Sequence, residues 1–272
     1  VDPLILRDET IGSCRLILGD ALSVIPGLPA VDHLFTDPPY SSGGMVRGDR
    51  MGGTSTKYQS PQHRGLYPEF QGDNRDQRGF AHWSALWLSL ALSRVRPGGL
   101  GAIFADWRQV PTVTDAFQAG GWVWRGLAVW DKTEGARPQL GRYRNQCEYV
   151  VWGSHGPLPL SGPVAPGVFR HAATVEPKHH ITGKPSRLMV DLLRLVSPGA
   201  VVLDPFMGSG STGVACVRSG IGFIGIEIDP AHYETSLERI RAAHLQPPLR
   251  VDAGAQARLD LGASLFPGDS SP

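Results

Sequence analysis

One run, Asp204-Pro205-Phe206-Met207-Gly208-Ser209-Gly210-Ser211-Thr212-Gly213, limits the folds open to this chain more than any other feature. It follows an apolar stretch, Ala200 to Leu203, that reads as a buried strand, and it opens a helix over Ser211 to Arg218. Gly208, Gly210 and Gly213 fit the GxGxxG spacing, and Glu227 stands after the next strand, Gly222 to Ile226. Glycines at such a turn let the backbone approach a ligand, and the helix N-terminus favours negative charge. An acid after the next strand can accept hydrogen bonds from ribose hydroxyls. The pattern predicts a site for an adenosine-bearing cofactor at the C-terminal ends of parallel strands.

Asp204 bears on which cofactor that is. A carboxylate beside the glycine loop repels the pyrophosphate of a nicotinamide or flavin nucleotide, and it suits an ammonium group. S-adenosylmethionine carries an α-ammonium, a carboxylate for the helix N-terminus, a ribose for Glu227 and a positive sulfonium. It is the expected cofactor. A dinucleotide and a ligand-free strand-turn-helix are the alternatives.

The second motif is Asp37-Pro38-Pro39-Tyr40, directly after the apolar strand Val31 to Thr36. Two prolines fix the backbone and remove two N–H donors, which leaves carbonyls available to a ligand. Asp37 adds a carboxylate acceptor and Tyr40 a flat ring. Acceptors suit an amino group, and the ring suits a base stacked on it. An exocyclic amine is a poor nucleophile because its lone pair is delocalised. Two acceptors on its hydrogens favour the tetrahedral geometry that attack on a methyl group needs. The plain alternative is a turn after a strand.

Strands and helices alternate along the rest of the chain, which predicts an α/β fold with a largely parallel sheet. Cys14 to Leu18 reads as a strand followed by Gly19-Asp20. Ala81 to Val95 reads as a helix on the spacing of Trp83, Leu86, Trp87, Leu90 and Val95, and Arg96-Pro97-Gly98-Gly99 stops it. Leu100 to Ala105, Trp122 to Trp130 and Glu148 to Trp152 read as strands. Val110 to Gln118, Pro185 to Val196 and Pro230 to Ala243 read as helices. Residues 41–79 read as a long mobile loop, with 8 Gly in that stretch. Residues 153–178 read as a loop or small insert. Residues 1–246 are expected to form one domain, with 247–272 a loose tail.

Charge is uneven. Net charge is −4 over residues 1–40, +8 over 41–187 and −3 over 188–272. A basic middle points to a polyanion, and nucleic acid is the obvious one. Cys14, Cys147 and Cys216 form no CxxC pair, and an odd count argues against a disulfide framework. They are expected to be packing residues in a reduced, cytoplasmic protein. No apolar run reaches the roughly 18–20 residues of a membrane span. The N-terminus lacks the basic and apolar regions of a secretory signal. His171, His179 and His180 lack partners at metal spacing, so no metal site is expected.

The two motifs together resemble the DNA amino-methyltransferases, which make N6-methyladenine or N4-methylcytosine. The tetrapeptide precedes the glycine loop, an order similar to the circularly permuted class called beta, and the long loop after Tyr40 resembles phage and prophage members most. The resemblance covers roughly residues 10–243. It implies a Rossmann-like fold for S-adenosylmethionine, with a seven-stranded, mostly parallel sheet containing one antiparallel strand. It assigns Asp37, Pro38, Pro39 and Tyr40 to the target amine. It assigns Asp20, Ala21, Asp37, Lys184, Pro185, Asp204, Pro205, Phe206, Gly208, Ser209, Gly210, Ser211, Thr212, Glu227, Ile228 and Asp229 to the cofactor. Lys184 and Pro185, within Thr182-Gly183-Lys184-Pro185, are expected to close on its methionine end.

DNA is the implied partner, and a homodimer is a further expectation because the class often forms dimers. The target base would be flipped out of the duplex onto Tyr40. Arg47, Arg50, Lys57, Arg64, Arg75 and Arg78, with Arg137, Arg142 and Arg144, read as phosphate contacts. Residues 131–180 leave room for only a small target-recognition region, so a short site or low specificity is expected. Asp rather than Ser before Pro-Pro favours adenine over cytosine. RNA and protein glutamine are the remaining alternative substrates. A nucleotide oxidoreductase leaves Asp37 to Tyr40 unexplained, and a non-catalytic DNA binder would be expected to lose one motif.

Overall fold

The computed structural model describes residues 5–40, 75–136, 138, 140–172 and 184–246. Their strands are β1 (Ile5–Ile11), β2 (Cys14–Gly19), β3 (His33–Thr36), β4 (Leu100–Ala105), β5 (Val123–Asp131), β6 (Cys147–Ser154), β7 (Val168–Arg170), β8 (Val201–Asp204) and β9 (Gly222–Glu227). Their helices are α1 (Ala21–Val24), α2 (Gln77–Leu92), α3 (Val110–Ala119), α4 (Ser186–Leu192), α5 (Ser211–Arg218) and α6 (Pro230–His244). The strands form one sheet in the order β1-β2-β9-β8-β3-β4-β6-β5-β7.

The seven strands from β2 to β5 in that order are the expected sheet. Neighbours from β2 to β4 run parallel, and β6 is antiparallel to both β4 and β5. Two edge strands extend it to nine. β1 pairs antiparallel with β2, and β7 pairs parallel with β5. β1 is largely exposed and its edge is charged; Arg15 of β2 pairs with Asp8 at 2.7 Å, and Arg241 of α6 reaches Glu9 at 2.8 Å. Such charges blunt a sheet edge against pairing with other chains.

Alternation along the central strands sorts side chains onto two faces. Leu16, Val202, Phe223 and Phe35 pack with Leu188, Met189, Val214, Tyr233, Leu237 and Ile240 of α4, α5 and α6. Ile17, Leu203, Ile224, Leu34 and Ile103 pack with Val24, Trp87, Leu88, Val113 and Phe117 of α1, α2 and α3. Both faces are covered, so these strands read as continuous apolar runs. Each fully buried Leu, Ile or Phe contributes about 1.5–3 kcal/mol.

Several boundaries differ from those the sequence suggests. α2 begins at Gln77, so residues 77–79 are helix and not loop; Asp76 caps it by accepting from the Gly79 N–H at 2.7 Å. The 3-10 turn Leu193–Leu195 follows α4 and ends that helical stretch. β7 lies inside the segment read as a loop or insert. Among the described residues no helix is long and apolar enough to cross a membrane.

Candidate active site

β8 leads through α5 to β9 on one side, and β3 leads through α2 to β4 on the other. The crevice beyond the carboxyl ends of β8 and β3 is therefore a topological switch point, where open α/β sheets bind ligands. Four adjacent parallel strands end on this edge. β2 ends beside Asp20 and Ala21, and β9 ends in Glu227, followed by Ile228 and Asp229. β8 ends in Asp204, and β3 ends beside Asp37. Pairing of β2 with β9, β9 with β8 and β8 with β3 thus brings together motifs up to two hundred residues apart.

The loop from Pro205 to Gly210 is held from several sides. Gly210 has φ +80°, a left-handed conformation that favours glycine, and a Cβ there would sit 3.0 Å from the Ser236 side chain. Met207 N–H donates to the Ile226 carbonyl at 3.0 Å. Arg239 of α6 donates to the Ser209 carbonyl at 2.6 Å and to its hydroxyl at 2.8 Å. Nothing in the spacing of the sequence pointed to Arg239. Gly208 has φ +51°, and a Cβ on it would project into open space. Phe206 packs against Trp83 and Trp87, with ring centroids 5.3 and 5.0 Å away.

Asp204 is buried. Its carboxylate accepts from the Thr36 hydroxyl at 2.7 Å, the Thr212 hydroxyl at 2.6 Å and the Phe206 N–H at 3.1 Å. Burial pushes its pKa up to about 6 against these donors. Expected to face an ammonium, Asp204 is used by the fold to tie β8, β3 and α5 together. Glu227 accepts from the N–H groups of Gly208, Ile228 and Asp229 at 2.8, 2.9 and 2.8 Å. Burial pushes its pKa up to about 7 against those bonds. Asp20 and Asp229 cap α1 and α6.

The turn after β3 is tightly partnered. The Tyr40 hydroxyl donates to Asp37, and the Asp37 carboxylate lies 2.7 Å from the Lys184 ammonium. Lys184 also donates to the Tyr40 hydroxyl at 3.3 Å. The resemblance implies a place for Lys184 at the cofactor's methionine end; the structure puts its ammonium against Asp37 and Tyr40. Pro185 is the N-cap of α4. Lys184 lies 3.1 Å from Glu148, at the start of β6, and Glu148 lies 2.7 Å from Lys132, just past β5. Residue spacing carried no sign of Glu148 or Lys132. Burial pushes the Asp37 pKa up, and Lys184 opposes that rise. Burial alone would raise Glu148, but Lys184 and Lys132 outweigh it and hold it low.

The basic residues divide. Arg75 stacks over the Trp83 ring at 4.2 Å, and Arg78 lies in the first turn of α2. Arg142 is exposed, and Arg144 donates to the Glu134 carbonyl. Arg47, Arg50, Lys57, Arg64, Arg137, His179, His180, Thr182 and Gly183 lie outside the described residues. The His171 ring lies 2.8 Å from the Asp191 carboxylate. Cys14 and Cys216 are buried, and Cys147 is partly so.

The acceptor turn carrying Tyr40 thus stands one strand away from the glycine loop. The sheet order and the site together define a Rossmann-like methyltransferase. The chain belongs to the N6/N4 DNA methylase family, whose model matches residues 31–160 and 163–238. It is 30% identical over 235 residues to YubD of Escherichia coli (strain K12), whose name includes the word methylase; the match covers 84% of this chain and 90% of YubD. It is 42% identical over 69 residues to the DNA adenine methyltransferase YhdJ of the same organism, 25% of this chain and 24% of YhdJ. Among solved structures, the M1.HpyAVI–SAM complex has a TM-score of 0.62 at 22% identity, covering 84% of this chain and 98% of that one. The cytosine-N4-specific PvuII DNA methyltransferase has a TM-score of 0.62 at 17% identity, covering 85% and 87%. The last two likenesses concern the fold.

Proposed function

We propose that this DNA methyltransferase uses S-adenosylmethionine to methylate the exocyclic N6 of adenine in a flipped-out base. The observation that carries the reading is the Asp37–Tyr40 pair at the switch point, one strand from the glycine loop. The residues present fit the cofactor. Asp20, Asp37, Asp204 and Glu227 make this edge acidic, which suits a cation. The open space over Gly208 admits a ligand against the backbone. Glu227 would hold the ribose, the Gly208 to Thr212 loop the methionine part, and Asp20 the adenine end. When bound, the cofactor supplies an electrophilic methyl group on a sulfonium.

The chain's own residues do the rest. Tyr40 stacks on the flipped base and holds it against the turn. The Asp37 carboxylate and the Pro38 carbonyl accept hydrogen bonds from the two amine hydrogens. That draws the nitrogen lone pair out of the ring and orients it. Asp37 then takes the proton that the nitrogen loses and passes it to solvent. Catalysis is positioning plus electrostatics, with no covalent enzyme intermediate.

Asp at position 37 and the local likeness to the adenine enzyme YhdJ support adenine over cytosine. N4-methylcytosine would use the same chemistry at the same turn. Asp37→Ala tests the site: methyl transfer to duplex DNA at saturating S-adenosylmethionine should fall by at least about 100-fold. An active Asp37→Ala protein would place the amine site elsewhere.

A further inference from the structure

The turn at Asp37 is the end of a longer chain of charges. Lys132, Glu148, Lys184 and Asp37 alternate in sign, at separations of 2.7, 3.1 and 2.7 Å. They come from four places in the sheet: just past β5, the start of β6, the segment before α4, and the turn after β3. Lys184 is the most enclosed member, with 7% of its side chain exposed. Its ammonium lies over three rings, 4.9 Å from Phe104, 5.5 Å from Tyr40 and 6.0 Å from Trp130. Two carboxylates and three ring faces leave it little freedom to move. A buried cation so placed is costly unless it is paired, and this one is paired twice.

We propose that Lys184, anchored by Glu148 and through it by Lys132, is a positioning residue for methyl transfer. It holds the Asp37 carboxylate beside Tyr40 and keeps it ionised, ready to accept from the target amine. The inference rests on the reading of Asp37 as the amine acceptor. The groups bearing on Asp37 are Lys184, Glu148 and Tyr40, with Asp204 at the end of β8; Asp106, after β4, bears on Tyr40. Among them only Lys184 is a cation. Removing it leaves Asp37 facing other acids, so protonation becomes easier. Removing the negative charge of Glu148 relieves a like-charge repulsion, so protonation becomes harder. The two changes have opposite signs, which a merely structural role would not produce.

The test is the pH dependence of kcat, with DNA and S-adenosylmethionine saturating, for the full chain and for Lys184→Met and Glu148→Gln. The acid limb, where activity is lost on protonation of Asp37, should move to higher pH in Lys184→Met by roughly 1–3 units. It should move to lower pH in Glu148→Gln. Affinity for S-adenosylmethionine is measured separately at each pH, so that a change in cofactor binding does not enter the limb. Limbs that stay in place, or move the same way, overturn the inference. If Lys184→Met does not fold, Glu148→Gln decides alone, because an unmoved or raised limb contradicts the proposal. Infrared difference titration of the Asp37 carboxyl, referenced to Asp37→Asn, reads the same opposite shifts without turnover. Wild-type protein that transfers no methyl group would sink the proposed function, while the infrared shifts would still decide the role of Lys184.

Discussion

Thr36, the last residue of β3, donates its hydroxyl to the carboxylate of Asp204, the last residue of β8, at 2.7 Å. The next residue after Thr36 is Asp37, and the next after Asp204 opens the glycine loop. One buried hydrogen bond therefore links the strand end that carries the Asp37–Tyr40 turn to the strand end that carries the glycine loop. The parallel pairing of His33 with Val202 and Leu34 with Leu203 sets the register that makes this bond possible.

Thr36→Val keeps the shape and removes the donor. Stability should fall by about 1–3 kcal/mol, the cost of taking a partner from a buried acceptor. Urea unfolding measures it. Because the bond spans both sites, kcat should fall more than cofactor affinity.

Asp204 and Glu227 make stability depend on pH in a stated direction. Their folded pKa values, about 6 and about 7, lie above the ordinary carboxylate values of 3.8 and 4.5. The folded state thus holds these protons more tightly than the unfolded state. Their contribution is fully present below about pH 4 and is lost as pH rises through about 6 and 7. Asp204→Asn should flatten the fall in unfolding free energy over that range. A slope equal to that of the parent protein would contradict the burial argument.

Cofactor binding should release a proton at Glu227. Ribose hydroxyls and a sulfonium favour the ionised acid, so affinity for S-adenosylmethionine should rise with pH from about 6 to 8. Calorimetry in two buffers of different ionisation enthalpy counts the proton directly. In Glu227→Gln the part of the pH dependence centred near 7 should be lost and the affinity should drop.

Gly210→Ala places a side chain at φ +80° and 3.0 Å from Ser236. It should destabilise the protein by about 1–2 kcal/mol and weaken cofactor binding at the same time. Thermal unfolding with and without S-adenosylmethionine separates the two effects.

Tyr40 has two separable roles. Tyr40→Phe keeps the ring and loses the hydroxyl contacts to Asp37 and Lys184, and should cost several-fold in kcat. Tyr40→Ala loses the stacking face as well and should cost a further 1–3 kcal/mol or so in base binding. A 2-aminopurine base at the target position reports flipping in each variant by fluorescence.

The two motifs could be read from the chain because each is local. Asp204 to Gly213 and Asp37 to Tyr40 carry their turns and their chemistry within a few residues. Strands β2, β3, β4, β8 and β9 were legible as apolar runs because helices cover both faces. β1 was not, since Ile5–Ile11 is mostly exposed and carries Arg7, Asp8 and Glu9 in its middle. β7 has three residues among prolines and glycines, too few for a period to show. The start of α2 was missed because apolar spacing begins only at Phe80, while Asp76 sets the boundary through one hydrogen bond. Lys132, Glu148 and Lys184 lie far apart in sequence. Only the antiparallel pairing of β5 with β6 and the position of the segment before α4 bring them together at Asp37. The Arg239 clamp on Ser209 joins residues 30 apart that share no motif.

The central claim is transfer of a methyl group to an exocyclic base amine. Nucleoside mass spectrometry tests it most directly. Purified protein is incubated with S-adenosylmethionine and unmethylated duplex DNA, and the DNA is digested to nucleosides. N6-methyladenine is expected, absent from the Asp37→Ala control, with its fraction of all adenines reporting the specificity. N4-methylcytosine in its place would contradict the adenine assignment, and no methylated nucleoside from protein shown to bind the cofactor would contradict DNA base methylation itself.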